Sequence, residues 1–220
     1  HLLKSVCYLV SALFIKICYD EIMKKLVSYI FLFILSFSIP SYSDDIQDLQ
    51  IEGVSIGDSL LNYTSKKKIL SEIKKNEPTY NYLNNDFGEV YLRNNFEEYD
   101  FLSFFVKQKD KLYTIYSIAG IIMYDDKIEQ CLAKQKEIEK QLSSIFINTK
   151  INRYTTKFDW DLTGESTSQN IELVFSSGDF IEINCTKYKK SLKIKNNWSD
   201  GLQVTVNKKE IKDWFNNSIN

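Results

Sequence analysis

Regular spacing of apolar side chains divides the second half of the chain into predicted elements. Over residues 127–146 the apolar positions recur close to every 3.6 residues, which predicts a long amphipathic helix. Beyond that helix the period changes to two, at 153–160, 171–175, 181–185 and 202–206. Alternation of this kind is typical of antiparallel strands that bury one face.

The first half of the chain has shorter signals. Two aromatic and apolar runs, at 101–106 and 112–124, are joined by a short polar segment and predict a β-hairpin. A short strand is predicted before them at 89–93. Short helices are predicted near 66–75, where Ser and Thr precede the helix, and near 209–217.

Together these elements predict an α+β fold. We expect an antiparallel sheet with the long helix, about 127–146, packed on one face, because the alternating strands each have an apolar side to bury. The predicted domain covers 44–220. A division into two subdomains, 44–124 and 125–220, is the alternative.

A segment before this domain has the layout of a signal peptide. The basic start Met23–Lys25 is followed by an apolar run of 14 residues, Leu26–Ile39, and then by small polar residues. We therefore interpret 23–43 as a cleaved signal peptide. The prediction is a mature protein that begins at Asp44 and is periplasmic or secreted.

The segment that precedes Met23 needs a separate interpretation. We interpret residues 1–22 as an artefact of translation upstream of the true start. The alternative is a membrane-anchored form that retains residues 1–40. The apolar run Leu26–Ile39 is shorter than the roughly 20 residues of a spanning helix, which favours cleavage.

Composition excludes several kinds of chemistry. The sole histidine is His1, so residues 44–220 cannot form a Ser-His-Asp or Cys-His catalytic unit or a histidine zinc site. The predicted mature chain has 24 basic and 27 acidic residues, which argues against nucleic acid as a partner. We predict no cofactor and assign no catalytic residue.

Two cysteines remain in the predicted mature chain. Cys131 lies on the apolar stripe of the long helix, and Cys185 lies on the apolar side of a predicted strand. In an oxidising compartment two such cysteines usually pair, so we predict a Cys131–Cys185 disulfide. Two buried free thiols are the alternative.

One acidic segment is a candidate for chemistry. Asp159, Asp161 and Thr163 resemble the first half of a calcium loop, but the bidentate Glu such a loop needs is missing at its twelfth position. A polar loop between strands, in which Asp161 or Thr163 bonds its own backbone, is the alternative. Asp159, Asp161 and Glu165 are also the candidates for a hydrolase that uses carboxylates alone.

Aromatic residues are dense between 80 and 124. They predict either a packed core or the lining of an apolar cavity. The set comprises Tyr80, Tyr82, Tyr91, Phe96, Tyr99, Phe101, Phe104, Phe105, Tyr113, Tyr116 and Tyr124.

Three stretches carry a resemblance to a family. They are IEGVSIGDSLL at 51–61, DDKIEQCLAKQKEIEKQLSSIF at 125–146 and DLTGESTSQNIELVFSSGDFIEINC at 161–185. In these the chain resembles exported proteins of AT-rich marine bacteria with no assigned activity. The resemblance implies a periplasmic protein with paired cysteines.

These observations favour a non-enzymatic binding or envelope-interaction module. The expected partner is an unknown envelope protein or a small apolar ligand, and membrane contact is expected only if the signal peptide is retained. The carboxylate-only hydrolase is the alternative function.

Overall fold

An antiparallel sheet of seven strands with helices packed against it confirms the predicted α+β architecture. The computed structural model describes residues 45–217. The predicted upstream segment 1–22, the signal peptide 23–43 and the mature start at Asp44 lie outside the described residues.

The elements follow one another in this order along the described residues. The strands are β1 (Gln50–Ile51), β2 (Val54–Ser55), β3 (Phe87–Leu92), β4 (Phe101–Lys107), β5 (Ile115–Asp125), β6 (Lys150–Lys157), β7 (Thr167–Val174), β8 (Phe180–Lys187) and β9 (Asp200–Asn207). The α-helices are α1 (Lys66–Asn76), α2 (Ile128–Ile145), α3 (Lys190–Asn196) and α4 (Lys209–Asn216). Short 3₁₀ turns cover Ile46–Asp48, Leu60–Asn62 and Glu77–Tyr80.

The large sheet consists of two meanders joined edge to edge. Its strand order is β3-β4-β5-β9-β8-β7-β6, and every pair is antiparallel. Helix α2 connects β5, at the junction, with β6, at the far edge. The strands β1 and β2 form a separate hairpin, in which Glu52 and Gly53 both have positive φ, as a tight two-residue hairpin turn requires.

The two faces of the large sheet differ in chemistry. Neighbouring residues on each strand point to opposite faces, and cross-strand partners point to the same one. On the face that we call sealed, one cross-strand row is Phe104, Ile118, Val206, Ile181 and Leu173. On the face that we call open, the adjacent row is Ser103, Ala119, Thr205, Glu182 and Glu172.

Helix α2 covers the sealed face. The disulfide between Cys131 of α2 and Cys185 of β8 confirms the predicted pairing, with the two Cα atoms 6.0 Å apart. The side chain of Gln135 donates to the carbonyls of Gln169 and Ile183, both at 2.8 Å. The helix is thus joined to the sheet by a covalent bond and by hydrogen bonds, in addition to apolar packing.

The structure corrects the bounds of one predicted strand. The strand predicted at 153–160 starts at Lys150 and ends at Lys157. Phe158 and Trp160 instead stack on each other in the following loop, with ring centroids 4.8 Å apart. Periodicity could not show this end, because two stacked rings in a turn have the same spacing as two side chains on a strand.

The ranges 44–124 and 125–220 contribute strands to the same sheet. Strand β5, which lies in the first range except for its last residue, is hydrogen-bonded to β9, in the second. The described residues, 45–217, belong to one compact unit.

Candidate ligand-binding cleft

A cleft of about 750 Å³ lies over the open face. Its floor comes from alternate positions of the central strands, the positions that do not face α2. These positions hold Ser, Thr, Asn, Gln and Glu where the sealed face holds Val, Ile and Leu. The floor side chains are Ser103, Ser117, Ala119, Glu172, Glu182, Asn184, Gln203, Thr205 and Asn207.

Many of these polar side chains are recessed rather than solvated. Glu172 is only 7% exposed, and Ser117 and Asn207 are 3% and 5% exposed. The Ser117 hydroxyl donates to the Asn207 amide oxygen at 2.6 Å across the β5–β9 junction. Burying a polar group lowers the stability of a fold unless the group is hydrogen-bonded. A sheet face with this many recessed polar side chains is therefore unusual.

Glu172 is held in the ionised form. Its carboxylate accepts hydrogen bonds from Lys212 of α4 at 2.8 Å and from Asn152 of β6 at 3.1 Å. Burial alone would raise the pKa of Glu172. The hydrogen bond and the charge of Lys212, together with the hydrogen bond from Asn152, outweigh burial and lower the pKa from its ordinary value.

The pKa of its cross-strand neighbour Glu182 is shifted in the opposite direction. Burial raises the pKa of Glu182, and the charge of Glu172 adds to the rise, although a hydrogen bond from Tyr154 at 3.2 Å opposes it. The cleft therefore places a carboxylate that stays ionised beside a carboxyl that takes up a proton more readily. Side by side they can accept one hydrogen bond and donate another.

A third carboxylate lies at the other side of the floor. Glu89 of β3 accepts hydrogen bonds from the hydroxyls of Ser103, at 2.7 Å, and Tyr80, at 2.8 Å. Burial, and then the charge of Glu89, raise the pKa of Tyr80 far above its usual range, so Tyr80 remains a neutral donor.

Aromatic side chains close both ends of the cleft. At one end Phe105 contacts Tyr80 and Phe215 of α4, with ring centroids 5.5 and 5.6 Å away. At the other end Tyr188 and Trp198 lie 5.0 Å apart. Helix α4 supplies Lys212 as well as Phe215, so it builds one wall of the cleft.

The cysteines predicted from the sequence are not part of this cleft. Cys131 and Cys185 are 0% and 1% exposed and lie under α2 on the sealed face. Their role in the structure is to fix the helix to the sheet.

The acidic segment after β6 forms a closed turn. One carboxylate oxygen of Asp161 accepts from the backbone N–H and the hydroxyl of Thr163, at 3.1 and 2.6 Å. The other accepts from the N–H of Ser166 at 2.8 Å. This is the backbone-bonding arrangement that the sequence offered as the alternative to a calcium loop.

The structure does not bring the hydrolase candidates together over the cleft. Asp159, Asp161 and Glu165 are absent from its lining, and Glu165 instead pairs with Lys189 at 3.0 Å. Between residues 45 and 217 there is no cluster of three or more His, Cys, Asp or Glu side chains arranged to hold a metal ion.

The aromatic residues between 80 and 124 include both core residues and cleft-lining residues. Phe104 is fully buried on the sealed face, as a core residue. Tyr80, Tyr91, Phe101 and Phe105 line the cleft.

Sequence reasoning missed Glu172, Glu182 and Lys212. The two glutamates occupy the polar positions of alternating strands, where a solvated side chain is the ordinary expectation. The signal that could have shown them is the cross-strand register, which places both on one row and needs the turn at 175–179 to be counted correctly.

None of the helices in the described part of the chain has the length and apolar character needed to cross a membrane. No protein family, curated protein or solved structure was found to match the sequence or the fold of this chain.

Proposed function

We propose that the protein is an exported, non-enzymatic binding module and that the cleft on the open face holds its ligand. The observation that carries this proposal is the row of recessed polar side chains on the cleft floor. A sheet face that served stability alone would be either apolar and covered or polar and solvated. A recessed polar face with aromatic ends is typical of a ligand site.

The lining indicates the kind of ligand. Its charged side chains are Glu89, Glu172, Glu182 and Lys212, so acceptors outnumber cations. Amide and hydroxyl groups complete the floor. The cleft therefore suits a small molecule that has O–H or N–H donors along one side and apolar edges that contact the aromatic ends.

Export is part of the same proposal. The Cys131–Cys185 disulfide supports an oxidising compartment, where such bonds persist. N-terminal sequencing of the protein recovered from an expressing bacterium tests this part directly. A first residue at Asp44 supports cleavage of the predicted signal peptide, and retention of residues 1–40 contradicts it.

Ligand binding is tested by calorimetric titration of the protein with panels of saccharides, polyamines and amino acids. Gln203→Leu, on the cleft floor, should weaken binding of any hit at least about tenfold, because it leaves ligand donors unpaired. Gln130→Leu, on the exposed side of α2, is the matched control and should leave affinity unchanged. Equal affinity in both variants contradicts the assignment of the cleft.

Hydrolysis is the second candidate function, and the Glu172–Glu182 pair favours it. Cross-strand side chains start about 5 Å apart at their Cβ atoms, and glycosidases use one protonated and one ionised carboxyl about 5–10 Å apart. Incubation with aryl glycosides distinguishes the two functions. Hydrolysis that Glu182→Gln abolishes, with binding retained, establishes an enzyme; binding without turnover supports the binding module.

A further inference from the structure

Four large apolar side chains protrude at the end of the molecule next to the Tyr188–Trp198 wall. Leu162 is 97% exposed and Ile194 is 76% exposed, and the tryptophans Trp160 and Trp198 are 51% and 41% exposed. We call these four residues the Trp160–Trp198 patch. A nearly fully exposed leucine among exposed tryptophans has no role in the core and is typical of an interaction surface.

The two tryptophans bring the two segments of the patch together. The Trp160 ring contacts the Trp198 ring edge to face, with centroids 5.4 Å apart. The loop that carries Leu162 is joined to the start of α3 by a hydrogen bond from the Lys189 N–H to the Ser166 hydroxyl, at 3.0 Å. The loop and the helix are therefore held side by side.

The patch is also held firmly in place. The Asp161 carboxylate fixes the turn that contains Leu162 through three hydrogen bonds. Helix α3 is anchored by Lys193, which pairs with the buried carboxylate of Asp200 at 3.0 Å. Asn197 ends the helix in a left-handed conformation, with φ 54°, and so directs Trp198 back toward Trp160.

Exposed lysines flank the patch. Residues 186–198 contain five lysines and no acidic residue. Lys187, Lys190 and Lys195 are exposed, as is Lys157 at the end of β6. Of the acidic residues nearby, Glu165 pairs with Lys189, and Asp126 and Asp200 pair with Lys193. Beside the exposed Asp159, the four exposed lysines give the rim of the patch an excess of positive charge.

We propose that the Trp160–Trp198 patch docks the protein on an anionic lipid surface. Tryptophan favours the membrane–water interface, leucine and isoleucine enter the acyl boundary, and nearby lysines are attracted to anionic headgroups. A symmetric contact with a second copy would bring two lysine-rich surfaces together and is opposed by their repulsion. Because Trp198 also lines the cleft, docking places the mouth of the cleft next to the membrane.

The test uses the full chain and vesicles of phosphatidylglycerol and phosphatidylethanolamine whose acyl chains are brominated. Bromine quenches tryptophan that enters the bilayer. The three tryptophans are Trp160, Trp198 and the buried Trp214, and residues 1–43 contain none. Quenching therefore requires a tryptophan of the patch to enter the bilayer, and contact of the apolar run Leu26–Ile39 with lipid causes none by itself.

We expect quenching in anionic vesicles that weakens about fivefold in apparent affinity for each of Lys187, Lys190 and Lys195 replaced by Gln. Leu162→Asp should weaken it at least about tenfold. Leu112→Asp, at a leucine that is 59% exposed on the turn before β5, is the matched control and should not change it. In Trp160→Phe/Trp198→Phe the quenching should disappear, because Trp214 remains buried.

Three results overturn the proposal. They are the absence of quenching in anionic vesicles, equal quenching in wild type and Leu162→Asp, and equal quenching in anionic and purely zwitterionic vesicles. A fourth measurement addresses a second copy as the occupant. If sedimentation without lipid shows a dimer that Leu162→Asp dissociates, the patch is a protein interface and the lipid proposal is wrong.

Discussion

The same strands make both faces of the large sheet, but the buried side chains on the two faces differ in chemistry and in what covers them. On β9, Val204 points to the sealed face and Thr205 to the open face, and both are nearly inaccessible to solvent, at 4% and 6%. Val204 is covered by apolar packing beneath α2, whereas Thr205 lines a cleft. Burial alone therefore does not separate core from site in this molecule; the chemistry of the buried side chain does.

The sealed face should carry most of the free energy of unfolding. The Cys131–Cys185 bond closes a loop of 54 residues in sequence separation, which corresponds to about 4 kcal/mol in the chain-entropy description. Cys131→Ser/Cys185→Ser should lower the free energy of unfolding by about that amount, measured by urea denaturation of the oxidised protein. Reductant should destabilise wild type and leave the double variant unchanged. Wild type that is equally stable with and without reductant contradicts this.

A sharper comparison uses neighbouring residues on one strand. Val204→Ala removes two buried methyl groups from the sealed face and should cost about 2 kcal/mol. Thr205→Ala removes a hydroxyl that accepts a hydrogen bond from the Gln203 side chain at 3.0 Å, and should cost about 1 kcal/mol or less. Urea denaturation of both variants measures the difference. Equal costs would mean that the open face is as important for stability as the sealed one.

The smallest expected effects concern the two glutamates, and they have opposite signs. The fold raises the pKa of Glu182, so wild type loses stability as pH rises through that pKa; Glu182→Gln escapes this loss and should melt a few degrees higher at pH 7. The fold lowers the pKa of Glu172, so its contribution is present above the unfolded pKa and is lost on acidification. Glu172→Gln should therefore melt lower at pH 7.

Both differences should shrink below about pH 4, where both carboxyls are neutral in the unfolded chain. Thermal melts from about pH 3 to pH 8 measure them. Shifts of the same sign at pH 7 would show that the two carboxyls do not share the cleft in the way described.

Much of the sealed face was predictable from the sequence, and the open face was not. The 3.6-residue period predicted α2 within one residue at each end, at Ile128–Ile145 against 127–146, because its apolar stripe faces an apolar sheet. The same stripe predicted the partner of Cys185. These contacts follow from patterns within single elements.

The cleft depends on contacts between elements, which periodicity does not contain. Glu172 and Glu182 become neighbours only through the register of β7 and β8. Lys212 reaches Glu172 from a helix 40 residues later. Helix α3 escaped prediction because its seven residues include three lysines and are thinly apolar, so it has little of the pattern that marks a helix packed on a core.

The junction of β5 with β9 has a consequence for how the chain reaches its final form. Ser117 and Asn207 bond across it although 90 positions separate them in sequence. During synthesis, the edge of β5 that pairs with β9 stays unpaired until Asp200–Asn207 has been made. If synthesis stopped before β9, the edges of β5 and β8 that flank it would both stay unpaired. Unpaired strand edges favour pairing with other chains and therefore self-association.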